Sequence, residues 1–286
     1  MPTLLILNPN TTPAVTEMLR RRAVELAPTG GQARAVTASF GARYISDEAA
    51  VAVAAHAAMD AFAADRALHG AADAVLIGCF GDPGLDALRD LAAEPVHGLA
   101  EASMLEAARL GRFAIVTGGV RWPPMLRRLA WSLGVADALA GIEVVDRTGA
   151  ELAADVAAAH ALLLGACEAA ISRHRPDALV LGGAALTSMA PALAARLPVP
   201  LLDSVSTALQ TAWRSASLAA SRPTAGLQSP PPRPAPMRAP DPAGIWQGLS
   251  PALDQLLSAG QEPGSLPALR LGTSFAAIPH PKETSE

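Results

Sequence analysis

The stretch Asp73-Ala-Val-Leu-Ile-Gly-Cys-Phe-Gly-Asp-Pro-Gly-Leu85 returns later in the chain, over its first seven positions, as Asp177-Ala-Leu-Val-Leu-Gly-Gly183. In both copies a short run of apolar residues, Val75 to Ile77 or Leu179 to Leu181, ends abruptly in glycine. That is the pattern of a strand covered on both faces that runs out into a loop. Open α/β sheets place their ligand chemistry at such carboxyl ends, where loop N–H groups face a crevice. Cys79 is therefore expected to be presented to a crevice, although an unpaired cysteine also serves often as a small core residue.

Working outward, the same order of elements is read twice. Thr3 to Leu7 reads as a strand, and Thr12 and Pro13 as the cap and first position of a helix to about Ala27. A strand near Ala33 to Ala38 leads to Ser46, a candidate cap with Asp47 and Glu48 in the first turn of an Ala-rich helix that reaches His69. Ala74 to Ile77 is the third strand, Pro95 to His97 the fourth, and a helix from Ala100 to Leu110 stops at Gly111. From Arg112 the series restarts: a strand to Thr117, a helix opened by Trp122-Pro123-Pro124, a strand at Ile142 to Val145, and a long helix after the capping box Thr148 to Glu151. Pro198 to Ser206 then echoes Pro95 to Ser103. Strand alternating with helix this regularly implies parallel sheets. The expected fold is α/β, with two pseudo-twofold-related parallel-sheet domains and the site in the cleft between them. The first domain spans 1–97 and the second 98–203, with the first joined by a helix at about 204–216. Residues 217–286 are expected to form a Pro-rich, disordered and dispensable tail, apart from a weak amphipathic patch from Ile245 to Leu257 that could dock.

Composition narrows the function classes. A net charge of −4 over 286 residues provides no field that would gather phosphates, so nucleic acid is not an expected partner. The two cysteines lie far apart in apolar surroundings, which argues against a disulfide and for a reducing compartment. Cys167 falls inside the long helix and reads as a core residue. The uncharged run from Ala178 to Ala195 contains Gly182-Gly183 and Pro191, so it reads as strand, loop and helix and not as a membrane span. The first residues lack the basic segment of a signal peptide, and a cytoplasmic protein is expected.

Several motifs, in order, resemble the Asp/Glu/hydantoin racemase family, in its hydantoin and allantoin racemase branch. They are Leu7-Asn8-Pro9-Asn10-Thr11-Thr12, Gly78-Cys79-Phe80-Gly81-Asp82-Pro83-Gly84-Leu85, Gly98-Leu-Ala-Glu-Ala-Ser103, and Arg112-Phe-Ala-Ile-Val-Thr-Gly118 followed by Trp122. The resemblance implies a racemase without cofactor or metal, acting on a small molecule, assembled from several subunits. Proton transfer at a carbon α to a carbonyl would run between two cysteines, with the thiolate favoured by helix N-termini and N–H donors. It also implies that Asn8, Phe80, Gly81, Thr117, Gly118, Gly183 and Ala184 surround the substrate. Phe80-Gly81 stands where free-amino-acid racemases have Asn-Thr, which shifts the expectation toward cyclic ureides. The second family cysteine is replaced by Gly183, leaving Cys79 as the catalytic thiol. With one thiol, one enantiomer would exchange its α-hydrogen without inverting and the other would be nearly inert. His97, Thr187 and Ser188 are weak candidates for the second face. Two other readings follow from the single thiol: a decarboxylase similar to arylmalonate decarboxylase, and a ligand-binding protein without turnover.

Overall fold

The computed structural model describes residues 1–147, 151, 156–221 and 248–259. Two four-stranded parallel sheets form the frame. The first consists of β1 (Thr3–Asn8), β2 (Gln32–Thr37), β3 (Ala74–Ile77) and β4 (Val96–Gly98), in the order β2-β1-β3-β4. The second consists of β5 (Phe113–Gly118), β6 (Leu139–Val145), β7 (Ala178–Gly182) and β8 (Leu201–Asp203), in the order β6-β5-β7-β8. The two orders superpose when each strand is replaced by the fourth one after it, so the repeat read in the sequence is a repeat of topology.

Paired hydrogen bonds make the equivalence explicit. The Asp73 carboxylate accepts from the Thr3 N–H at 2.7 Å, and the Asp177 carboxylate accepts from the Arg112 N–H at 2.8 Å. Each aspartate thus ties the start of one strand to the start of its neighbour. The Pro95 carbonyl accepts from Val75 N–H at 2.9 Å and the Pro200 carbonyl from Leu179 N–H at 2.8 Å. Pro200, and not Pro198, is therefore the counterpart of Pro95; letter matching slipped by two residues because both prolines flank Val199.

Alternation along each strand divides the core. Leu4, Ile6 and Leu76 of the first sheet join Phe113, Ile115 and Val180 of the second in one cluster between the sheets. Leu5, Leu7, Val75 and Ile77 face the opposite way, onto α2 (Glu48–His69) and α3 (Leu85–Leu91). Ala114, Val116, Leu179 and Leu181 face α6 (Val156–His174) and α7 (Ala190–Ala194). Burial on both faces explains why these strands read as continuous apolar runs. Between the sheets lie α1 (Pro13–Glu25), α4 (Leu99–Leu110), α5 (Trp122–Ser132) and α8 (Ser204–Ala220), all of which contribute residues to the shared cluster.

Several local expectations are corrected. Asp47, not Ser46, caps α2, accepting from Ala50 N–H at 2.9 Å, because a carboxylate one residue nearer the helix wins the orphan donor. Thr12 occupies the cap position of α1, but its hydroxyl donates to the Arg43 carbonyl at 2.9 Å and not to the helix. The helix that begins at Ser204 runs to Ala220, a turn beyond its expected end at about 216. The capping box at Thr148 and the Pro-rich run 222–242 lie outside the described residues. Part of the tail is helical: α9 (Pro251–Ala259), within the amphipathic patch read from the sequence as able to dock, sets Leu253 and Leu257 into a buried cluster with Ala63 of α2. Among the described residues no helix is long and apolar enough to cross a membrane.

Candidate active site

The carboxyl ends of β3, β5 and β7 open onto one cavity of about 640 Å³. Much of its wall is apolar, formed by Val15, Ile45, Phe80, Trp122 and Leu186. Cys79, Phe80, Thr117, Gly118, Gly183 and Ala184, all singled out from the sequence, line it; Asn8 and Gly81 do not.

Asn8 is fully buried, and its amide is spent on its own loop. Nδ2 faces Asn10 Oδ1 at 3.1 Å, the Thr12 carbonyl at 3.2 Å and Thr16 Oγ1 at 3.0 Å, while Oδ1 accepts from Asn10 N–H at 3.3 Å. It shapes the turn that brings Asn10 and Thr12 to the cavity wall in its place. Gly81 stands behind the wall as well, where a Cβ would overlap the six-membered ring of Trp122. In the same way a Cβ at Gly182 would overlap the Phe80 ring. Phe80 from the first half thus lies on the end of β7, and Trp122 from the second half lies on the Cys79 loop. Each half supplies an aromatic ring that the other half's glycine admits.

Cys79 is partly exposed, and lines the cavity. Its thiol is pushed up to about 12, first because the surrounding protein excludes the water that would solvate a thiolate, and second because the Asp82 carboxyl stands nearby. The expectation of a favoured thiolate is corrected: the group carries its proton at neutral pH. Asp82, in the left-handed region at φ 51°, accepts from Ala100 N–H at 2.9 Å and Glu101 N–H at 2.7 Å. Burial pushes Asp82 up to about 7 against the pull of those two donors. The second and third sequence motifs meet here, since a residue of the Cys79 loop caps α4 from outside the helix. Arg89 holds Glu101 at 2.7 Å just behind.

The remaining candidates lie elsewhere. His97 Nε2 pairs with Ser215 Oγ at 2.8 Å beneath α8, and burial lowers its pKa. Thr187 donates to the Ala184 carbonyl at 3.1 Å, Ser188 is exposed, and neither lines the cavity. Cys167 is fully buried inside α6, its thiol pushed up to about 11 by burial. Gly183 lines the cavity with Cys79, in a backbone conformation of φ +133° that a side chain rarely adopts.

Reading the sequence missed Asn10, Arg43 and Tyr44 on the wall. Arg43 and Tyr44 come from the irregular segment between β2 and α2, which carries no motif or period; the one available signal is that Tyr44 is the single tyrosine of the chain. Thr117 donates to the Gly182 carbonyl at 2.8 Å, joining the ends of β5 and β7 at the wall. Among the described residues no three His, Cys, Asp or Glu side chains stand together as a metal site.

Comparison with known proteins agrees with this arrangement. The sequence model of the Asp/Glu/Hydantoin racemase family matches residues 4–212. Hydantoin racemase of Paenarthrobacter aurescens is 32% identical over 213 residues, covering 73% of this chain and 89% of that protein. The solved allantoin racemase of Klebsiella pneumoniae is 32% identical with a TM-score of 0.71, covering 76% of this chain and 89% of that one. The allantoin racemase of Pseudomonas fluorescens is 26% identical with a TM-score of 0.72, covering 81% and 98%. With the family model spanning both sheets and the cavity between them, the chain belongs to the Asp/Glu/hydantoin racemase family.

Proposed function

We propose that the protein is a cofactor-independent racemase of a cyclic ureide of the hydantoin or allantoin kind, with Cys79 transferring the proton on one face of the carbon α to the carbonyl. The observation that carries this reading is the placement of Cys79 at the end of β3, in a cavity built by both halves of the repeat. A planar enolate has two faces, and two opposed strand ends can address both. The wall supports a compact ring more than a free amino acid: among the described residues Arg43 is its one cationic side chain, and the rest of those lining it are uncharged. Excluding water strengthens each remaining dipole that faces the developing oxyanion. Cys79, held protonated, serves turnover first as the acid, giving its proton to the enolate. The resemblance to the family supports an assembly of several copies, and two cysteines placed far apart in apolar surroundings support a reducing, cytoplasmic setting.

The protonated single thiol also favours a second reading, in which Cys79 protonates the enediolate left by a departing carbon dioxide. One panel separates the readings. Both enantiomers of a 5-substituted hydantoin and of allantoin, free Asp and Glu, and an aryl malonate are offered to purified protein, following optical rotation and carbon dioxide release. Racemisation of a cyclic ureide that disappears in Cys79→Ala is expected. Carbon dioxide release from the malonate without racemisation would establish the second reading, and binding without either would mark a ligand-binding homologue.

A further inference from the structure

Racemisation needs a proton carrier on each face, and Gly183 offers none. Three titratable side chains line the described wall: Cys79, Arg43 and Tyr44. A guanidinium does not give up its proton in proteins. The hydroxyls of Thr12 and Thr117 also stand at the wall, but an aliphatic alcohol holds its proton too tightly to carry one near neutral pH without a base to activate it. Tyr44 belongs to the first half, yet its hydroxyl lies 3.3 Å from where a Cβ of Gly119 would stand, at the end of β5 in the second half. That is the half from which Gly183 lines the cavity. Tyr44 also lines an adjoining depression with Asp47, Arg121, Asp146 and Arg147, so the ring stands between the cavity and a polar surface through which a proton can reach solvent.

We propose that Tyr44 is the proton carrier on the face opposite Cys79, replacing the thiol that the chain lacks at position 183. This rests on the racemase reading above. In one direction the Tyr44 phenolate takes the α-proton: an O–H bond forms, and the electron pair of the broken C–H bond spreads into the enolate. The S–H bond of Cys79 then breaks as its proton goes to the other face, leaving a thiolate. The opposite enantiomer meets that product state, phenol and thiolate, and runs the same steps backwards. Each cycle conserves protons, and the first phenolate arises by loss of a proton to solvent. A phenol, ordinarily ionising near pH 10, suits this exchange far better than a threonine hydroxyl.

This proposal and the expectation of a one-faced enzyme differ in a measurement. Each enantiomer of 5-isobutylhydantoin is incubated in deuterated water with wild type, Tyr44→Phe and Cys79→Ala, following α-hydrogen exchange by NMR and configuration by circular dichroism. Wild type should racemise and exchange both enantiomers. Tyr44→Phe should lose roughly 10²- to 10⁴-fold in racemisation while one enantiomer still exchanges with its configuration kept. Cys79→Ala should retain exchange of the other enantiomer alone. Racemisation by Tyr44→Phe at the wild-type rate overturns the assignment and leaves the racemase reading standing. Equal loss of both enantiomers' exchange in Tyr44→Phe also overturns it, since a merely structural role would act on both faces. If Tyr44→Phe does not fold, Cys79→Ala decides alone, and absence of exchange with either enantiomer overturns the assignment. A wild type inert toward both enantiomers overturns both readings together.

Discussion

At the scale of single residues, the Cys79 loop shows how a fold sets reactivity by two effects of unequal size. Removal of water raises the thiol pKa first and the neighbouring Asp82 adds to it, giving about 12. The reactive species is the thiolate, so alkylation of Cys79 by iodoacetamide should climb about tenfold per pH unit up to that value. At pH 8 only about 10⁻⁴ of the thiol is ionised on that basis, far less than for a free cysteine. Cys79 should still label before Cys167, which is fully buried. Asp82→Asn keeps an acceptor for the α4 N-terminus while removing the charge, and should speed labelling of Cys79. Because Asp82 itself ionises near 7, the ratio of variant to wild-type rates should open only as pH rises past 7 and close below it. A ratio that stays at one from pH 6 to 9 would show that the Asp82 charge does not reach the sulfur.

At the scale of elements, α9 changes what the end of the chain is for. Leu253 is 1% exposed and packs with Leu257 against Ala63, with Met59 and Leu91 alongside, so an amphipathic nonapeptide covers the outer face of α2. Composition alone reads the residues after Ser221 as dispensable, whereas the packing of α9 on α2 leads us to expect that ending the chain there lowers stability. Leu253→Ala should cost about 2–5 kcal/mol, the range for a buried leucine. In a chain of this size that corresponds to a fall in Tm of several degrees, read by thermal denaturation. An unchanged Tm in both the truncated chain and Leu253→Ala would show that α9 adds nothing to the fold.

At the scale of the whole molecule, α8 binds the halves into one body. It packs on β3, β4 and β1 of the first sheet and on β7 and β8 of the second. Trp213 of α8 is buried and donates its indole N–H to the Ala23 carbonyl at 3.0 Å, one of the last carbonyls of α1 and without a helical partner. Arg22 reaches Ser206 of the same helix at 2.9 Å. With one apolar cluster shared by both sheets, calorimetry should show a single transition and not one per half. Trp213→Ala should lower stability by about 3–5 kcal/mol while leaving that transition single. Two separated transitions in the wild type would mean that the shared cluster does not couple the halves.

What the sequence by itself determined was everything carried by short-range pattern. Apolar runs ending in glycine marked β3 and β7, the repeated Asp-Ala start marked their equivalence, and alternation with helices dictated parallel sheets. These features follow from backbone sterics and burial on two faces, which act within a few residues and leave their period in the letters. The thiol at a strand end was legible for the same reason. Tertiary structure alone decided which polar groups face the cavity. Asn8 looked like a ligand contact until Thr16, one turn into the next helix, took its amide. Tyr44 carried no motif or period, because its place opposite Gly119 exists only once the second half docks on the first. The state of Cys79 was likewise hidden, since solvation and the distance to Asp82 are properties of the closed cavity and not of the chain that builds it.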